Sequence, residues 1–195
     1  MIAFDKSKTL FACPTKCGTM SLVAFAKQVG ARRQGLHACV RPPNTDGYAV
    51  YMMMRDPVQR ARSMWKFYRY GENLGRASRK VQETLKRECE DYEQFLKKLI
   101  PLSNQIGFLK PQTTWIIRSG VQYLIRLEDA GGLVPGLCGN PNADFPTENR
   151  SIGITIEPPE LESELVHAWA AVDAMLYNMI PAEGGILDLR ARAEA

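Results

Sequence analysis

The stretch Tyr48 to Met54, YAVYMMM, restricts the possible folds of this chain more than any other. It is apolar almost without interruption, so a strand built from it has two faces to bury, as a central strand of a parallel sheet does. The run breaks at Arg55, after which Asp56 supplies a capping carboxylate and Pro57 suits the first position of a helix. That helix carries Val58, Ala61, Met64, Trp65 and Tyr68. A second strand-to-helix passage lies upstream. Thr9 to Cys13 is short, apolar and followed by Pro14, while Met20, Leu22, Val23, Phe25, Ala26 and Val29 recur with helical period until Gly30. Gln122 to Leu127 is a further strand, with Glu128 and Asp129 at its C-terminal end, where open α/β sheets place ligands.

The other segments fill in around these. Gly35 to Val40 reads as a short second strand, and Gly71 to Ser78 as a mobile connection. Arg79 to Ile100 reads as one strongly charged helix with Val81, Leu85, Tyr92, Phe95, Leu96 and Leu99 on one side. Gly131 to Asn149, rich in Gly, Pro and Asn, reads as mostly loop. Pro159 to Met179 reads as a last helix burying Leu161, Leu165, Trp169, Val172, Leu176 and Tyr177. Strands alternating with helices predict an α/β fold in which a parallel central sheet is flanked by helices, and 195 residues suit a single domain, 1–195.

Composition narrows the function classes. A content of 45% hydrophobic residues excludes a disordered chain, and a net charge of +4 has none of the basic blocks that mark nucleic-acid or membrane-surface binders. Arginine makes up 15 of the 25 basic residues, and its planar fork suits phosphate and sulfate. The five cysteines are odd in number and lack CxxC spacing, which argues against a disulfide framework and structural zinc and points to a reducing compartment. Asp5, Lys6 and Lys8 interrupt the N-terminus where a signal peptide is apolar, and no run reaches the length of a spanning helix. The expectation is a soluble, cytoplasmic protein.

The chemistry concentrates in Pro14 to Leu22, PTKCGTMSL, which joins the first strand to the first helix. Backbone N–H groups at a helix N-terminus face anions, Gly18 allows close approach, and Lys16, Thr19 and Ser21 add charge and hydroxyl donors. This is a phosphate cradle. It is not the triphosphatase loop GxxxxGK[ST], because Lys16 precedes Gly18 by two residues instead of following it.

Lys16-Cys17-Gly18-Thr19-Met20-Ser21-Leu22 resembles the P-K-C-G-T-T-S-L signature of sulfotransferases that use 3'-phosphoadenosine 5'-phosphosulfate (PAPS), with Met20 replacing a Thr and Thr15 inserted after Pro14. Arg55-Asp56-Pro57-Val58-Gln59-Arg60-Ala61-Arg62-Ser63 resembles that family's second signature, R-[DN]-P-x-x-R-x-x-S. Lys110-Pro111-Gln112, Tyr123 to Asp129, Asn149-Arg150-Ser151 and Val166 to Tyr177 resemble weaker segments of its carbohydrate-type branch, in the same order. The resemblance implies a P-loop-like sulfotransferase fold, PAPS as sulfuryl donor, and an acceptor hydroxyl on a carbohydrate or small metabolite. It also implies that Arg55 and Ser63 hold the 3'-phosphate and that Lys16, Cys17, Gly18, Thr19, Met20 and Ser21 surround the 5' end.

Sulfuryl transfer, like phosphoryl transfer, depends mainly on position and charge, so Lys16 is the candidate for stabilising the bridging oxygen, and no metal is expected. The acceptor needs a base, with His37 and Glu128 as candidates. The plain alternatives are a structural role for His37 and an ion pair to Lys110, Arg126 or another core-edge cation for Glu128. His167 reads as structural, Asp56 as a cap, Arg60 and Arg62 as surface or ion-pair residues, and Trp65, Trp115, Phe67 and Tyr68 as core. Cys17, at a helix N-terminus, is expected to gain thiolate character and to act through its backbone. Two other functions compete: a P-loop-type phosphotransferase, and a non-catalytic module that binds 3'-phosphoadenosine 5'-phosphate (PAP).

Overall fold

The computed structural model describes residues 1–33, 37, 41–72, 74–147 and 154–192. Two compact units emerge. The first comprises Met1–Arg55, Gln112–Arg150 and Met175–Ala195, and the second Asp56–Pro111 and Ser151–Ala174.

The first unit is a mixed α/β sheet. Its strands are β1 (Ile2–Phe4), β2 (Thr9–Ala12), β3 (Arg32–Arg33), β4 (Ala49–Met54), β5 (Tyr123–Arg126) and β6 (Leu187–Asp188), in the order β3-β1-β2-β4-β5-β6. The centre is parallel as expected: Phe11 pairs with Tyr51, and Tyr51 with Tyr123. The edges correct the expectation of a wholly parallel sheet, because β1 pairs antiparallel with β2 and β3, and β6 antiparallel with β5. A parallel neighbour needs a long crossover, whereas β1 returns to β2 through a short turn, which makes a hairpin.

The YAVYMMM run covers both faces. Val50, Met52 and Met54 point into one core with Leu10, Ala12, Leu124, Leu187, Ile180 and Trp115, the last from α5 (Thr113–Ser119). Met53 points into the other with Phe11, Cys13 and Ile125, under Leu22, Phe25 and Ala26 of α1 (Thr19–Gln28). Ala130 and Val134 of α6 (Ala130–Leu137) close that face. Helix α6 occupies part of the segment expected to be loop. Burial of Ala130, Val134 and Cys138 at four-residue spacing outweighs the poor helix propensity of Gly131, Gly132 and Pro135.

The second unit is helical. Its elements are α2 (Pro57–Tyr70), α3 (Arg76–Glu88), α4 (Tyr92–Gln105) and the part of α7 (Glu162–Met179) up to Ala174. Ala61, Met64, Trp65 and Tyr68 of α2 meet Val81 and Leu85 of α3, Phe95, Leu96 and Leu99 of α4, and Val166 and Trp169 of α7. The single charged helix expected over Arg79 to Ile100 is two helices. The chain leaves α3 at Cys89, and Asp91 starts α4 by accepting the Gln94 N–H at 2.8 Å. Helix α3 also begins within the expected mobile connection, at Arg76, and α4 runs on through Pro101.

Helix α7 is non-helical at Ala170 (φ −137°, ψ 41°), which redirects its buried face. Trp169 is buried as expected, but Leu161, which precedes the first residue of the helix, and Val172, beyond the break, are exposed, a correction to the single straight period expected of this segment. The expected strand at Gly35 to Val40, apart from His37, and the Asn149-Arg150-Ser151 segment lie outside the described residues. No helix among the described residues is long and apolar enough to cross a membrane.

Candidate functional site

Strand β2 delivers the chain to the loop at Cys13, and α1 leaves it at Thr19. Two residues between them take left-handed backbone conformations, Lys16 (φ 63°) and Gly18 (φ 72°). Gly18 is the residue preceding the first turn of α1 and has no side chain to cap it, and that turn contains no acidic residue. The first amides of an α-helix have no carbonyl behind them, so this end of α1 carries partial positive charge toward the loop. A Cβ on Gly18 would lie 2.4 Å from Leu127 Cδ1, so the loop runs against the C-terminal end of β5. Thr19 Oγ1 donates to the Pro14 carbonyl at 2.9 Å and closes the loop on itself.

The cations gather here. Arg55, just past the end of β4, donates from Nη1 to the Lys16 carbonyl at 3.4 Å. Lys16 is pulled down to a pKa of about 8, first by burial and then by the Arg55 guanidinium, with a smaller opposing effect of Cys17. A lysine in this position is charged at neutral pH but holds its proton weakly, so an anion placed between Lys16 and Arg55 relieves both effects. Of the hydroxyls on α1, Thr19 and Ser21 are buried, whereas Met20 is about half exposed.

Gln112 ties this arrangement together. Fully buried, it accepts the Arg55 N–H on Oε1 at 2.9 Å and donates from Nε2 to the Arg55 carbonyl at 2.9 Å. The Cys17 thiol donates to the same Oε1 at 2.9 Å. Cys17 is thus 1% exposed, and its sulfur faces a buried partner. Sequence comparison of motifs brings out the Lys110-Pro111-Gln112 segment, but the role of Gln112 emerges only from its partners.

The two candidate bases differ in setting. His37 Nδ1 lies 2.9 Å from the Cys13 carbonyl, at the start of the loop. A carbonyl only accepts, so Nδ1 carries the hydrogen and a neutral ring turns Nε2 into the proton acceptor. Burial lowers the His37 pKa. The Cys13 hydrogen bond opposes that, while the positive charges of the chain's amino group, Arg33 and Lys16 add to it. Glu128 is exposed and accepts a hydrogen bond from the Tyr177 hydroxyl at 3.0 Å. Of the cations expected to pair with it, Arg126 is placed otherwise: it donates to the Ile180 carbonyl at 2.8 Å and stacks over the Tyr177 ring.

Lys16, Cys17, Gly18, Thr19, Met20, Ser21, Arg55, His37 and Glu128 all belong to the sheet unit. Ser63 belongs to the helical unit, where it is buried on α2. Two residues expected to be surface or ion-pair residues have different outcomes in that unit. Arg60 is fully buried, with Nη2 donating to the Lys110 carbonyl at 2.9 Å and its guanidinium over the Trp169 ring, a correction. Arg62 forms the ion pair foreseen, forking onto Glu162. Among the described residues no group of His, Cys, Asp or Glu side chains is arranged to hold a metal ion. No family profile, curated protein or solved structure matches the chain.

Proposed function

We propose that the chain is a sulfotransferase of P-loop-like fold that moves the sulfuryl group of PAPS to an acceptor hydroxyl. The observation that supports this reading is the meeting of Lys16 and Arg55, from the ends of adjacent strands, at the N-terminus of α1. One cation and a helix terminus suffice for a single phosphate; a second cation from the neighbouring strand suits a ligand with separate anionic groups. The residues fit such a ligand: Lys16 is buried beside a like charge, and the left-handed backbone of Gly18 turns the chain into the N-terminus of α1.

PAPS, when bound, supplies the sulfuryl group, and the chain supplies position and charge. Lys16 neutralises the charge that grows on the bridging oxygen, and the first-turn amides of α1 receive the 5' oxyanion. Arg55 takes the 3'-phosphate, a role that the resemblance extends to Ser63. His37 is the stronger candidate base, because a neutral ring with hydrogen on Nδ1 accepts the acceptor's proton at Nε2.

Titration with PAP, followed by transfer from labelled PAPS to a panel of glycans, phenols and alcohols, tests this. Micromolar PAP binding and a labelled product are expected. Failure to bind PAP sinks the proposal, and magnesium-dependent ATP binding without any response to PAP favours a phosphotransferase. Tight PAP binding with no acceptor sulfated favours a binding module. Lys16→Ala is expected to lower turnover about a hundredfold while weakening PAP binding far less.

A further inference from the structure

We infer that Gln112 is the positioning residue of this anion site: it sets where Arg55 stands relative to the Lys16-Cys17-Gly18 loop. The inference rests on the functional reading above for the identity of the ligand, but its geometry is independent of that ligand.

The orientation of the Gln112 amide is forced. The Arg55 N–H can only donate and the Arg55 carbonyl can only accept, so Oε1 faces the first and Nε2 the second, each at 2.9 Å. The side chain therefore holds Arg55, the residue that follows β4, as a neighbouring strand would, at the point where the sheet ladder ends. Its Oε1 has a second lone pair, and the Cys17 thiol fills it at 2.9 Å. Cys17 follows Lys16 in the chain, and Arg55 Nη1 reaches the Lys16 carbonyl, so the contacts close a ring: Lys16, Cys17, Gln112, Arg55 and back to Lys16. A carbonyl oxygen with both lone pairs engaged, in a fully buried amide, is a rigid element, and removing it leaves the partner groups unsatisfied.

One consequence follows for the site. Arg55 is fixed through its backbone, so only its side chain remains to be ordered when a ligand binds, which reduces the entropy lost on binding.

The test is a double-substitution cycle between Gln112→Met and Arg55→Ala, read as affinity for PAP and for inorganic pyrophosphate. Gln112→Met alone is expected to weaken binding about tenfold, but to add no more than about twofold in the Arg55→Ala background. Equal losses in both backgrounds overturn the inference, since they would show Gln112 acting only through overall stability. A second readout is the rate at which N-ethylmaleimide labels Cys17, followed by peptide mass spectrometry; it is expected to rise about tenfold or more in Gln112→Met, and an unchanged rate also overturns the inference. Should Gln112→Met fail to fold, Gln112→Glu replaces it in the cycle with the same criterion, since its carboxylate accepts from Arg55 but cannot donate to the Arg55 carbonyl. If pyrophosphate binds with the expected coupling and PAP does not, the sulfotransferase reading falls and the role of Gln112 stands. If neither binds the unaltered chain, both fall.

Discussion

At the scale of single residues, the most informative group is Lys16. Its folded pKa of about 8 lies below the ordinary lysine value, so between those two values the unfolded chain binds the extra proton and stability rises with pH. Ligand binding runs the other way. An anion favours the charged lysine, so PAP affinity is expected to fall as pH rises past about 8. Calorimetry near pH 8 in two buffers of different ionisation enthalpy should show proton uptake on binding, and Lys16→Met should abolish it. Gly18→Ala is expected to cost about 1–2 kcal/mol of stability, read as a lower thermal midpoint, because its φ of 72° disfavours a side chain. Leu127→Ala makes room for the new methyl but leaves the backbone strain, so it should restore only part of the loss. Lys16, Gly18 and Arg55 were legible in the sequence because each acts through local chain geometry. Gln112 was not, since its partners lie 95 and 57 positions away and only the fold unites them.

Secondary-structure elements were legible wherever the deciding forces were local. Asp56 and Pro57 announced the start of α2, and Asp56 does accept the Gln59 N–H, at 2.9 Å. Asp56→Ala should therefore lower stability by about 1 kcal/mol, measurable by urea unfolding. The break between α3 and α4 was missed because the charged periodicity continues across it, although Asp91 three residues before Gln94 is itself a capping signal. Helix α6 was missed because its glycines and proline argue against a helix that burial then stabilises.

A related balance governs the contact among α2, α4 and α7. Burial alone would raise the Glu162 pKa, but hydrogen bonds from Arg62 and Tyr92 outweigh it and hold the carboxyl below its usual value. A carboxylate with a lowered folded pKa contributes stability above its unfolded value and loses it as pH falls through the folded one. Unfolding midpoints between pH 7 and pH 3 should thus fall less steeply for Glu162→Gln than for the unaltered chain.

At the scale of the whole molecule, the parallel α/β centre was evident from YAVYMMM, whereas the antiparallel edges were not. Strands β3 and β6 are two residues long each, too short to carry a period. The β1 strand merges into a charged turn. Neither compact unit is a continuous segment of sequence. A fragment of residues 1–150 would lose β6 together with Ile180 and Leu187 of the sheet core. It is expected to show no cooperative thermal transition by circular dichroism; a transition as sharp as that of the full chain would refute this.

The pairing of Tyr51 with Tyr123 also imposes an order of assembly during synthesis. The β1–β2 hairpin can close within microseconds of its emergence, and β4 can dock on β2 soon after it appears. The other edge of β4 has to wait while roughly seventy more residues are translated, which at ribosomal speed is on the order of 4–14 s. For that interval the nascent chain exposes one open edge of its most apolar strand, and a chaperone that shields extended apolar segments would act on this protein before β5 arrives.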